Sequence, residues 1–227
     1  MQEHAVVFSL PFEAMANLFI LGGVVMWPLL GFSVLAVALI LERAAFWFRI
    51  LRRQDRVVRE SLGLYRRSSQ QAFKFLEQHA DLPIARIFLA ALELDRPNPE
   101  EFRLALESAA QAELPLLKRF GTIFETIVSV APLLGLLGTI LGLINSFSSL
   151  RLGDLGGSNS AGVTAGISEA LISTATGLVV AIFTLLFANA FRGLYRRQTA
   201  LIQEYGGQLE LLYRRRYERG DVPYAPS

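Results

Sequence analysis

The chain has 227 residues, 52% of them hydrophobic, a net charge of +2 and no cysteine. A mean hydropathy of +0.40 is too high for an ordinary soluble domain of this length, and the near-neutral charge gives nucleic acid no footing. The lack of cysteine excludes disulfides, thiolate metal sites and cysteine nucleophiles, and His4 and His79 lie too far apart for a histidine metal site, so neither metal nor cofactor is expected.

Residues 1–17 read as an extracytoplasmic N-terminal segment. Residues 18–41 form the first stretch able to cross about 30 Å of hydrocarbon. Glu3 and Glu13 precede it instead of lysine or arginine, and the apolar run is too long for the core of a cleaved signal, so a retained span is expected. Pro28 predicts a kink within it, with Trp27 as a mid-helix packing residue. Residues 42–122 read as a cytoplasmic helical domain. Asn98-Pro99-Glu100-Glu101 is a helix start, with an N-cap, a proline in the first turn and acids beside the positive helix end. Phe102, Leu104, Ala105, Leu106, Ala109 and Ala112 supply its apolar face, and Pro115 predicts a bend before the membrane.

The second span covers 123–150 and sorts its residues by size. At about 100° per residue, Ala131, Gly135, Gly138, Thr139, Gly142, Ser146 and Ser149 share one third of the circumference. Leu133, Leu136, Leu137, Ile140, Ile144 and Phe147 cover the other side. Lipid accepts the aliphatic side; the small side wants another helix, because small residues let backbones approach in a bilayer. Gly135, Gly138, Gly142 and Ser146 are therefore the expected packing residues.

Residues 151–166 read as an extracytoplasmic glycine-rich turn; they lack the pattern of a phosphate-cradling loop. The third span covers 167–191. Glu169 is its one ionisable residue, and Ser173, Thr176 and Thr184 share its face, with Thr174 about 140° round from it. Glu169 near the outer end can reach headgroup water, and a lone hydroxyl in a span usually bonds its own backbone. Several together beside a second small-polar stripe fit a wet, proton-accessible interior better than packing alone. Residues 192–227 read as a cytoplasmic helix, carrying Leu194, Leu201, Ile202, Tyr205, Leu209 and Leu212 on one stripe, and a disordered tail. Arginines cluster after spans one and three, and Lys118 and Arg119 precede span two, which puts the N-terminus outside and the C-terminus in the cytoplasm.

Ala-Pro-Leu-Leu-Gly-Leu-Leu-Gly-Thr at Ala131–Thr139 and Glu-Ala-Leu-Ile-Ser-Thr-Ala-Thr-Gly-Leu at Glu169–Leu178 resemble the second- and third-helix signatures of the ExbB/TolQ/MotA proton-channel family. Met26-Trp27-Pro28-Leu29-Leu30 through Glu42-Arg43 is similar to the ExbB/TolQ branch. The resemblance implies an all-α membrane protein with three transmembrane helices and long cytoplasmic helical extensions, assembled as a homopentamer in the bacterial inner membrane. It implies a single-span ExbD- or TolR-like partner whose aspartate titrates in a central pore, and a TonB- or TolA-like protein that receives the motion. By position it implies Thr139, Glu169 and Thr174 as polar pore residues and Pro132 as the family's second-helix proline, a packing residue; Ser173 and Thr176, on the Glu169 face, are the further pore-lining candidates. The chain departs from the family at Ile182-Phe183-Thr184, where members often carry a proline, which predicts a straighter third helix. ExbB, energising TonB-dependent transport across the outer membrane, is the nearer reading, with a TolQ-type subunit of the Tol-Pal system as its alternative; cargo, the coupling ion and stoichiometry stay open. A passive scaffold is the competing reading. A membrane enzyme has no cysteine, histidine cluster or nucleophile–base pair behind it, so no catalytic residue is expected.

Overall fold

The computed structural model describes residues 19, 21–152 and 160–220. The expected segment 1–17, residues 153–159 of the expected turn at 151–166 and the tail after 220 lie outside the described residues; residues 151–152 and 160–166 are helical, so the turn is shorter than its glycine content predicts. Among the described residues six helices can be bounded: α1 Met26–Arg67, α2 Ser69–Glu77, α3 Pro83–Leu92, α4 Pro99–Leu117, α5 Gly121–Leu152 and α6 Ser160–Glu218. Among the described residues there is no strand. Stretches long and apolar enough to cross a membrane occur in α1, in the α4–α5 region and in α6. The chain is an all-α, multi-pass membrane protein. It divides into two compact units, Met1–Leu41 with Phe120–Asn189 and Glu42–Arg119 with Ala190–Ser227.

The first unit holds the apolar stretches. Its core is small: Val25, Met26, Leu29, Ala131 and Ala181 are buried, with Phe19, Leu134, Leu141 and Val180 against them. The first helix does not run through Met26-Trp27-Pro28 with a kink. It starts at Met26, after a turn whose Gly23 has φ 74°. Pro28 therefore falls in the first helical turn, where a missing N–H costs nothing because that donor has no partner within the helix. Trp27 is not a packed mid-helix residue: it is 67% exposed and meets Phe19 edge to face at 5.1 Å. The Gly22-Gly23 pair, able to take positive φ without a Cβ clash, overrides the apolar count of the surrounding segment.

The second unit is a helical domain around Trp47, Tyr65, Leu76, Leu82, Ile84, Phe88, Phe102 and Leu209. Asn98 forms a full capping box. Its Oδ1 accepts from the Glu100 and Glu101 N–H groups at 3.0 and 2.9 Å, and the Glu101 carboxylate accepts from the Asn98 N–H at 2.7 Å. Phe102 and Leu106 are buried, but Leu104 is exposed, because it sits about 160° round the helix from Leu106. Pro115 lies inside α4 and the helix continues past it to Leu117. The break before the next span comes instead at Phe120, whose φ of 66° is left-handed and stops helical continuation. Arg86 grips Glu113 with two donors at 2.7 and 2.5 Å, a fork that matches the carboxylate. Gln198 donates to Gln54 in the core, and the Tyr213 hydroxyl donates to the Pro97 carbonyl while its ring stacks on Phe102. The helix of the third span continues through Gly206-Gly207 to Glu218 without interruption.

Candidate functional site: the seam between the second and third spans

The small side of α5 finds its partner within the same chain. Ala131, Gly135, Gly138, Gly142 and Ser146 are buried, while Leu133, Leu136, Leu137, Ile140, Ile144 and Phe147 are exposed. The matching stripe on α6 is Gly166, Ala170, Ser173, Gly177, Ala181 and Thr184, spaced three and four residues apart and buried throughout. The backbones approach until no side chain fits between them. A Cβ on Gly135 would lie 3.0 Å from the Ser173 carbonyl oxygen, and one on Gly142 would lie 2.6 Å from that of Gly166. A Cβ on Gly177 would lie 2.6 Å from the Ala131 carbonyl oxygen, and one on Gly138 would overlap the Ser173 side chain. Ser146 closes the far end by donating to the Val163 carbonyl at 2.6 Å. Pro132 is half-buried within α5.

The hydroxyls divide into two kinds. Thr139 donates to its own Leu136 carbonyl at 2.6 Å, Thr176 to Ile172 at 2.8 Å and Thr184 to Val180 at 2.7 Å, all local backbone bonds. Ser173 and Thr174 reach across. Thr174 donates to the Gly135 carbonyl at 3.1 Å, and Ser173, fully buried, lies 3.4 Å from the same oxygen while bonding Ala170 at 2.9 Å. Gly135 therefore supplies both the gap and the acceptor for the third span's hydroxyls.

Glu169 does not join the threonines. Its Oε2 accepts from the Asn145 amide at 3.4 Å, and its Oε1 lies against Gly23. Asn145 and Thr139 diverge by about 120° on α5, and Glu169 and Thr174 by about 140° on α6. Since Asn145 and Glu169 meet on one edge of this antiparallel pair, Thr139 and Thr174 occupy the other, about one helical turn apart along it. The turn before α1 covers the Glu169 edge: a Cβ on Gly22 would meet Ile172 at 3.1 Å. The three residues expected together in a pore thus lie on two edges of one seam within a subunit, separated by the glycine contact.

Sequence reasoning missed Gly166 and Gly177, although both fall on the Ala170–Ser173 stripe, and Asn145, which flanks Ser146. It also passed over Gly23, whose signal was the glycine pair itself. Among the described residues no cluster of histidine or carboxylate side chains could hold a metal. The seam offers hydroxyls, one amide, one carboxylate and backbone carbonyls, a set that can order water and hydrogen-bond a titrating group but carries no nucleophile–base pair.

Residues 79–204 match the MotA/TolQ/ExbB proton channel family. An ExbB-like biopolymer transport protein of Synechocystis sp. is 65% identical over 207 residues, covering 91% of this chain and 99% of that protein. A second ExbB-like protein of Synechocystis sp. is 45% identical over 199 residues, covering 86% of this chain and 78% of its own. An ExbB homologue of Methanothermobacter thermautotrophicus is 28% identical over 177 residues, covering 75% and 60%. The matched stretch contains the whole of α5 and the seam-forming part of α6, so the helices that build this site are the ones the comparison recognises, and the chain belongs to the MotA/TolQ/ExbB family of proton channels.

Proposed function

We propose that this chain is the multi-pass subunit of an ExbB-type motor that uses the proton motive force to energise TonB-dependent transport across an outer membrane. Five copies surround the helices of a single-span, ExbD-like partner. The N-terminus lies outside the inner membrane and the C-terminus in the cytoplasm, a placement that the arginine distribution supports. The names of the Synechocystis relatives support the ExbB side of the family over the TolQ side.

The observation that carries this reading is the threonine edge of the seam. An aliphatic surface would serve a scaffold facing lipid. Here Thr139 and Thr174, both only partly buried, interrupt it on the edge away from Glu169. A threonine cannot carry a proton by itself. Each hydroxyl donates its one proton to a backbone carbonyl, but its oxygen can accept from a water, and that water can donate to a carboxylate on an inserted helix, which stabilises the charged form in a medium where a bare charge is expensive. The partner's aspartate takes up a proton from one side and releases it to the other, and the hydroxyls give its charged form a place to rest between those events. Glu169, held on the opposite edge, sets the local field and takes part in the same pathway.

Purification of the complex from its own cells tests the assignment. A co-purifying single-span protein together with a TonB-like protein is the expected result; a TolA-like protein would move the chain to the Tol-Pal envelope system. Isolation as a stable monomer in mild detergent would contradict the motor.

A further inference from the structure

Two elements besides α6 touch the carboxylate of Glu169, each at a different oxygen. The backbone of Gly23 occupies the position beside Oε1, where a Cβ would collide with that oxygen and would come within 2.6 Å of Cδ and 3.0 Å of Cγ. Gly23 has φ 74°, a conformation that an L side chain adopts only under strain. Asn145 of α5 reaches Oε2 with its amide N–H at 3.4 Å. Beside them, Ile172 closes against Gly22, where an added Cβ would lie 3.1 Å from it. A glutamate has three side-chain torsions and, unheld, samples many rotamers. Here the turn limits it on one side and the amide engages it on the other.

We propose that Asn145 and Gly23 are positioning residues that fix the Glu169 carboxylate at one place on the seam, so that a proton relay through this site depends on a second-span amide and a first-span turn. The inference rests on the reading of the chain as a proton-channel subunit with Glu169 in its pathway. The division of labour is specific. Asn145 supplies an amide donor to one carboxyl oxygen. Gly23 supplies space and the backbone turn, and neither survives a Cβ. Asn145 is exposed at the edge of α5, so its replacement removes a contact to Glu169 without opening a core.

The test uses the chain reconstituted in liposomes with its co-purifying single-span partner, and reads proton flux together with the infrared carboxyl band that disappears in Glu169→Gln. Asn145→Leu should lower flux about tenfold and move that band. Asn145→Gln, which keeps an amide N–H, should retain most of the flux. Gly23→Ala should lower flux, and Glu169→Asp added to it should recover part of the loss, because the shorter side chain withdraws from the colliding position. Gly31→Ala, with open space around the added methyl group, should behave as wild type. Wild-type flux and an unmoved band in Asn145→Leu would overturn the proposal, as would a Gly23→Ala defect that Glu169→Asp fails to relieve. Wild-type flux in Glu169→Gln would instead overturn the underlying reading of Glu169, whatever Asn145 does.

Discussion

The Thr174 hydroxyl donates to the carbonyl oxygen of Gly135 at 3.1 Å, across a contact where neither backbone leaves room for a side chain. One interaction thus joins the packing stripe of the second span to a polar residue of the third. A helix carbonyl already accepts one bond from its own helix, and its second lone pair is what Thr174 uses. Position and packing are therefore coupled: anything that separates α5 from α6 also displaces the hydroxyl.

That coupling predicts how glycine substitutions fail. The Gly135–Gly138–Gly142 face is occupied by α6 of the same chain, so Gly138→Leu should damage the subunit's own fold before it affects contacts between subunits. Gly177→Leu should do the same from the other side, since its side chain would meet the Ala131 carbonyl. Overpacking of this kind costs about 1–3 kcal/mol or more. Thermal unfolding of the detergent-solubilised protein should fall in midpoint for both, while Gly193→Leu, at a position with open space, stays near wild type. An unchanged midpoint in Gly138→Leu would remove the close approach from the structure.

Topology is testable because the native chain has no cysteine. A single cysteine at Ser158, which falls between the second and third spans in the sequence, should react with a membrane-impermeant maleimide in intact cells. One at Ser108 in the domain before the second span should react only after the cells are opened. The reverse pattern would invert the arrangement drawn from the arginines.

The helical domain of the second unit should lose stability in alkali. Tyr213 is 2% exposed, and burial pushes its hydroxyl from 10 up to about 12; burial raises Tyr65 as well. A phenol whose pKa is raised on folding keeps its proton longer in the folded state. Its contribution is therefore complete below about pH 10 and is lost as pH rises through about 12. Tyr213→Phe should be less stable at neutral pH, because the Pro97 carbonyl loses its donor, yet its decline between pH 10 and 12 should be shallower than that of the wild type. Denaturant midpoints followed by circular dichroism across that range give the comparison. Equal slopes would show that Tyr213 is not held protonated by the fold.

Much of this was legible in the chain itself, and the reason is periodicity. The sorting of α5 into glycine and leucine sides needed only the 3.6-residue repeat, and the buried and exposed positions follow it. The start of α4 was legible because Asn98 and Glu101 are a local pair whose bonds depend on no distant residue. The misread places are those where local signals compete. Pro28 reads as a kink but falls in a first turn, and the chain turns instead at Gly23; beyond the bend expected at Pro115, which lies within α4, the left-handed Phe120 carries no comparable signal. Which edge of the seam Glu169 occupies was not legible, since it is decided by Asn145 and by the turn before α1, two elements that no single-helix pattern relates to α6.

The central claim is that the threonine edge serves proton movement and does more than pack two helices. The most direct measurement is proton flux into liposomes holding the chain with its co-purifying partner, comparing wild type with Thr139→Val, Thr174→Val and Thr199→Val. Valine keeps the shape and deletes the hydroxyl; Thr199 bonds its own Tyr195 carbonyl in the second unit and serves as control. Flux should collapse in the Thr139 and Thr174 variants, with the complex still assembled, and persist in the Thr199 variant. Full flux in both seam variants would contradict the claim and leave the seam a packing device in a non-conducting scaffold.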